Sequence, residues 1–226
     1  MANYFNLTLD TTGPANPSIS IASGATFTGD QVVSLTIGTS DTPTTGYQMK
    51  IWGSVDTDYS EDVQATETGS NWITYATTKQ IKLSAGDGLK TVYLKIRDDV
   101  YNPSAEVYDT INLDTDLPTV SITGPDVSKI SKQTGKDTCS FSFQVNEVFD
   151  EYKVKVVASV AATHDTGTQI PTTSGSSNMS GSAGDYPANT VINCSIKGAD
   201  LEFVASGDGS KIIKVFAKDK AGQWSV

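Results

Sequence analysis

Carboxylates are the side chains best placed to do chemistry in this 226-residue chain. Asp56, Asp58, Glu61 and Asp62 form an acidic run with no basic residue among them, and they carry the hard oxygen ligands that calcium prefers. Their spacing departs from the DxDxDG pattern of a calcium loop, so solvated surface acids are the competing reading. Asp98, Asp99, Asp114 and Asp116 form a second acidic set near an expected domain junction, where a cation could be clamped. Calcium is therefore the one cofactor left open. His164 is the single histidine and sits beside Asp165 at the start of a Ser/Thr/Gly-rich stretch. One histidine rules out a multi-histidine metal site and leaves any Ser-His-Asp arrangement dependent on a loop residue. The expectation is an exposed loop histidine and no enzymatic activity. Trp52, Tyr59, Trp72 and Tyr75 gather around the first acidic run. Trp72 and Tyr59 could stack on a sugar ring, as a host-surface glycan site would require, while Trp52 and Trp72 suit core and edge packing better.

Charge narrows the partners. Sixteen Lys and Arg against 26 Asp and Glu give a formal charge of -10, a field that repels phosphate backbones and anionic bilayers. Neither nucleic acid nor membrane is an expected partner, and no stretch nears the roughly 20 apolar residues of a spanning helix. The opening Met-Ala-Asn-Tyr-Phe-Asn has no basic region followed by an apolar run, so no export signal is read and synthesis in the cytosol is expected. Cys139 and Cys194 are the only cysteines. They could form an inter-sheet disulfide, but a cytosolically made protein keeps them as buried thiols.

The elements that must carry these residues follow a period of two, with no convincing 3.6-residue stripe. Strands are expected near 18–22, 31–37, 47–52, 72–75, 80–83, 90–97 and 105–113, then near 119–123, 138–145, 151–159, 191–196, 201–205 and 210–217. The two sets repeat. Leu9-Asp10-Thr11 and Leu113-Asp114-Thr115 each end an alternating apolar stretch and precede a proline and a new strand. Tyr47, Lys50, Ile51, Ser54 and Val55 match Tyr152, Lys155, Val156, Ser159 and Val160 without a gap. Gly86-Asp87-Gly88 and Gly207-Asp208-Gly209 each feed an apolar alternation, as turns entering a strand do; no helix follows that could hold an anion. Between these landmarks the second repeat is longer, and 162–190, rich in Thr, Ser and Gly, is expected to be a long, exposed, mobile loop.

About seven short strands per roughly 100 residues point to an all-β chain of two tandem immunoglobulin-like β-sandwich domains, 11–114 and 115–226, behind an N-terminal arm of residues 1–10. The Leu-Asp-Thr linker, the Gly-Asp-Gly turn before TVYLKIRD or IIKVFAKD, and the ending KDKAGQWS resemble the Ig-like repeats of tailed-phage virion proteins and bacterial surface proteins. The antibody pattern is unmatched, since the first repeat has no cysteine and the second has no Trp on its Tyr-Lys strand. The resemblance implies a non-enzymatic structural or decorating component of a virion, at the tail, baseplate, neck or capsid surface, with other virion proteins as partners. The alternatives it implies are an adhesin or carbohydrate-binding module recognising a host surface, and a location on the bacterial cell surface.

One mismatch between the repeats bears on assembly. The first repeat ends in a full strand, 105–113, whereas the second reaches Trp224-Ser225-Val226, the counterpart of the residues just before that strand. Residues 4–9 meanwhile look like a final strand with no repeat in front of it. The expectation is an open edge at 210–217 and self-association by strand exchange, with Tyr4, Phe5, Leu7, Leu9, Ile213, Val215 and Trp224 as assembly contacts.

Overall fold

The computed structural model describes residues 4–69 and 71–226; residues 1–3 of the expected arm lie outside the described residues. The chain forms two compact units, 1–115 and 116–226. It is nearly all β.

Unit 1 contains β1 (Ser18–Ile21), β2 (Phe27–Thr28), β3 (Val32–Gly38), β4 (Gln48–Gly53), β5 (Val63–Gln64), β6 (Ile73–Thr74), β7 (Thr78–Lys82), β8 (Gly88–Arg97) and β9 (Val107–Leu113). One sheet runs β1-β3-β7, and the other runs β2-β9-β8-β4-β5 with β6 also on β4. Alternation decides the faces. In β3, Val33, Leu35 and Ile37 point inward while Ser34 and Thr36 face solvent, and in β8 Val92, Leu94 and Ile96 do the same. With Ile21, Ile51, Ile81, Ile111 and Leu113 they form one continuous core, each such side chain contributing about 1.5–3 kcal/mol on full burial. Two packed sheets with this order form an immunoglobulin-like sandwich.

Unit 2 contains β10 (Val120–Thr123), β11 (Thr138–Val145), β12 (Phe149–Val157), β13 (Thr168–Gln169), β14 (Ser180–Gly181), β15 (Ile192–Lys197), α1 (Gly198–Val204) and β16 (Ile212–Asp219). One sheet runs β10-β11-β15; the other places β12 between β16 and the two short strands β13 and β14. Its core is more aromatic. Phe149 stacks on Tyr186 at 4.8 Å and Phe143 meets Tyr152 edge-on at 5.1 Å. Burial pushes the Tyr152 hydroxyl up to about 12.

Two expectations from the sequence give way to the structure. Residues 201–205, read as a strand, lie at and beside α1 instead. The alternation Leu201, Phe203, Ala205 misled, because the inward residues are Leu201 and Val204, one helical turn apart, and Phe203 is left exposed. Asp200 in the first turn is fully buried, and its carboxylate accepts from Thr173 Oγ1 at 2.8 Å and from the backbone N–H groups of Ser174 and Ser176 at 2.9 and 3.1 Å. Burial alone would raise its pKa, but those hydrogen bonds outweigh it and hold the carboxyl at about 2.

The 162–190 stretch is the second correction. It is stitched to the sandwich: Ile170 and Met179 are buried in the core, Ile170 N donates to Val154 O at 3.1 Å, and Val154 N donates to Met179 O at 2.7 Å. Cys139 and Cys194 are both free thiols and lie on neighbouring strands of one sheet, where Cys194 pairs with Phe141 and Cys139 with Ile196. That placement is not the inter-sheet geometry a bridging disulfide would span; Cys194 is buried, and burial pushes its thiol up to about 12.

Candidate functional site

The two units repeat each other closely up to one point. Gly86 and Gly88 have φ of 81° and 112°, and Gly207 and Gly209 have 82° and 124°, a left-handed conformation that the turn requires and glycine adopts without strain. After the strand that follows, Asp98 accepts from Asn102 N and Nδ2 at 2.8 and 2.9 Å, as Asp219 accepts from Gln223 N and Nε2 at 2.8 and 3.2 Å. Ser104 Oγ then accepts from Ile96 N at 3.0 Å, and Ser225 Oγ from Ala217 N at 3.1 Å. In unit 1 the next element is β9. In unit 2 no described residue takes its place.

Edges are where this matters, because an unpaired strand presents a row of free N–H and C=O groups. The outer edge of β4 is capped by β5 and β6, and that of β12 by β13 and β14. On the other side, β9 pairs with β8 from Gly88↔Leu113 to Leu94↔Val107, and β2 pairs with β9 in turn. Among the described residues the only strand that pairs with β16 is β12; on the other side Lys218 bridges Trp224 and Ala217 O accepts from Ser225 N at 2.8 Å, and no strand pairs with Ile212–Phe216 there. Side-chain exposure follows. β10 repeats β1, since Val120 faces Val145 as Ile19 faces Ile37, which makes Ile122 the counterpart of Ile21. Ile21 is 0% exposed and Ile122 48%. Likewise Val92 is buried, whereas its counterpart Ile213 is half-buried. On the side of the sandwich that β9 covers in unit 1, unit 2 thus leaves apolar surface at Ile122 and Ile213, on β10 and β16.

The residues 4–9 belong to no strand or helix, and Tyr4, Phe5, Leu7 and Leu9 are 78–85% exposed. Of the other expected assembly contacts, Val215 is buried in the core of unit 2. Trp224 is occupied within its own unit: its ring stacks on His164 at 4.6 Å and lies 4.3 Å from Lys153 Nζ. His164 is therefore not the free loop residue expected from the sequence. It is half-buried, its carbonyl accepts from Lys155 Nζ at 2.7 Å, and the neighbouring Asp165 is engaged by Thr163.

The acidic sets do not converge. Among the described residues no three His, Cys, Asp or Glu side chains are grouped to hold a metal ion. Asp56 pairs with Lys82 at 2.7 Å and accepts from Asp58 N at 3.0 Å; the lysine contact is the main cause holding its carboxyl below the usual range. Asp62 is engaged by Lys79, and Asp98 is buried and committed to its own turn. Asp114 N donates to Thr28 O at 2.9 Å, and the Asp116 carbonyl accepts from Gln223 Nε2 at 3.1 Å. Glu61 and Asp99 join no such group.

Nor is Trp72 an open platform, since Arg97 and Lys50 lie 4.5 and 5.0 Å from its ring centroid. Tyr59 is exposed and donates its hydroxyl to Gln80 Oε1 at 3.1 Å. Trp52 packs on the outer sheet face instead of in the core, in a cross-strand row with Tyr93 and Tyr108 at 5.6 Å spacings.

No protein-family model matches the sequence, and no curated protein matches it. Among solved structures, the chain is similar to fibronectin(III)-like modules of Clostridium thermocellum CbhA, with a TM-score of 0.44 at 13% identity over 92% of this chain and 90% of that one. It is also similar to the D00-D0 domain of intimin, with a TM-score of 0.34 at 14% identity over 88% and 91%. A third likeness is to chitinase ChiA74 from Bacillus thuringiensis, with a TM-score of 0.30 at 15% identity; it covers 92% of this chain and 30% of the chitinase.

Proposed function

We propose that this chain is a non-catalytic structural or decorating component of a phage virion, at its tail, baseplate, neck or capsid surface, and that it works through protein–protein contacts. The observation that supports the reading is the edge of β16. The corresponding edges of β4, β8 and β12 carry further strands, whereas among the described residues that of β16 carries only the bridge at its Trp224 end and has no strand on Ile212–Phe216, beside the half-exposed Ile122. A strand edge left open next to apolar surface is the geometry by which one chain adds a strand to another. The side chains that could have served catalysis or metal binding are instead held in turns, ion pairs and ring stacks.

The test is fractionation of an infected-cell lysate on a density gradient, with an antibody against the chain. The reading predicts that the chain sediments with intact particles and crosslinks to other virion proteins. Recovery with bacterial envelopes, or glycan-array binding that Trp72→Ala removes, would overturn it in favour of a surface adhesin.

A further inference from the structure

We infer that residues 4–9 of one copy of this chain complete unit 2 of a second copy, pairing antiparallel with β16 in the register that β9 holds on β8. The inference rests on the assembly reading above and names its partner.

The occupant is identified by the strand that fills the equivalent place in unit 1. Leu7-Thr8-Leu9-Asp10-Thr11 repeats Ile111-Asn112-Leu113-Asp114-Thr115, with Leu7 and Leu9 standing where β9 sends Ile111 and Leu113 into the core. Carrying the observed β8–β9 pairs onto the matching positions places Leu9 opposite Gly209, Leu7 opposite Lys211, Phe5 opposite Ile213 and Tyr4 opposite Lys214. Phe5, Leu7 and Leu9 then share the inward face, because alternate residues of a strand do. Phe5 replaces Asp109, whose carboxylate accepts from Ile21 N in unit 1. A large apolar ring there suits the apolar surface that includes Ile122 at 48% exposure.

The end of the strand is specified as well. Thr115 N and Oγ1 both donate to Asp87 Oδ1, at 3.0 and 2.9 Å. Thr11 and Asp208 stand at the matching positions, so the same two bonds close the end of the added strand. Because donor and acceptor lie on different units, the contact is head-to-tail; it closes as a reciprocally swapped dimer or a larger ring, or extends as open chains.

Light scattering across a concentration series of the 226-residue chain tests this. The expected result is a mass that rises with concentration from the monomer to a dimer or higher multiples. Leu7→Asp with Leu9→Asp, at side chains that are each 85% exposed, should weaken association by at least about 100-fold, as burial of two charges against apolar surface demands. A synthetic peptide of residues 1–12 should bind that double variant and cap the growth of the unaltered chain, with amide shifts at Ile122 and Ile213. A monomer at every concentration, or assembly unchanged in the double variant, overturns the inference. A monomer that still sediments with particles would remove strand exchange alone and leave the virion role standing.

Discussion

Units 1 and 2 share a turn, a strand, a buried aspartate and a serine clasp at matching positions, yet they differ in how their second sheet ends. In unit 1, β9 lies against β8 and covers Ile21 and Val92; in unit 2 no described strand lies on that side of β16, and of the counterparts Ile122 is exposed and Ile213 only half-buried. The contrast separates what makes a sandwich fold from what makes it closed. Unit 2 keeps an aromatic core and adds a stitched 162–190 segment along β12, so its open side is local.

Closing that side should have the largest effect. Appending the sequence of residues 106–115 directly after Val226 supplies a strand in cis, burying counterparts of Val107, Ile111 and Leu113. At about 1.5–3 kcal/mol per buried side chain, calorimetry should show the unit 2 transition rising by at least about 10 °C, with self-association lost. Opening the closed side comes next. Leu113→Ala should cost unit 1 about 3 kcal/mol, read as an earlier denaturant transition for Trp52 fluorescence while unit 2 is unmoved.

Smaller effects concern what is particular to unit 2. Asp200→Ala should remove about 1–3 kcal/mol by leaving the N–H groups of Ser174 and Ser176 unpaired. Its acid dependence has a fixed sign: the folded carboxyl, at about 2, lies below its ordinary 3.8. The stabilisation is therefore complete above about pH 4 and lost as pH falls through about 2. Asp200→Asn should flatten melting temperature across that window in unit 2 alone. Smallest is Lys82→Met in unit 1, which removes a surface ion pair with Asp56 and should leave the unit 1 melting temperature within error of the unaltered chain.

The strands longest in period two, such as Val32–Gly38 and Thr138–Val145, were legible in the sequence because only an extended backbone keeps alternate residues on one face over that length. The capping strands Val63–Gln64, Ile73–Thr74, Thr168–Gln169 and Ser180–Gly181 were hidden or blurred, since two residues carry no period. The helix Gly198–Val204 escaped for a related reason: seven residues supply a single i, i+3 apolar pair, and its N-cap, Lys197, makes no side-chain cap. The candidate site divides the same way. Its backbone logic, a final strand of the first repeat with no counterpart among the described residues of the second and an arm that resembles that strand, came from aligning the chain with itself. The engagement of Trp224 by His164, and of Trp72 by Lys50 and Arg97, depends on side chains distant in sequence and had no signal in spacing.

Hydrogen exchange at residues 4–9 decides whether the arm of one copy closes unit 2 of another. In dilute solution these amides, which belong to no strand, should exchange at the rate of an unstructured peptide. In concentrated solution they should become protected together with Ile212–Lys214 on β16, and Leu7→Asp with Leu9→Asp should abolish both protections. Residues 4–9 that exchange freely at every concentration, with β16 unchanged, would refute the strand exchange.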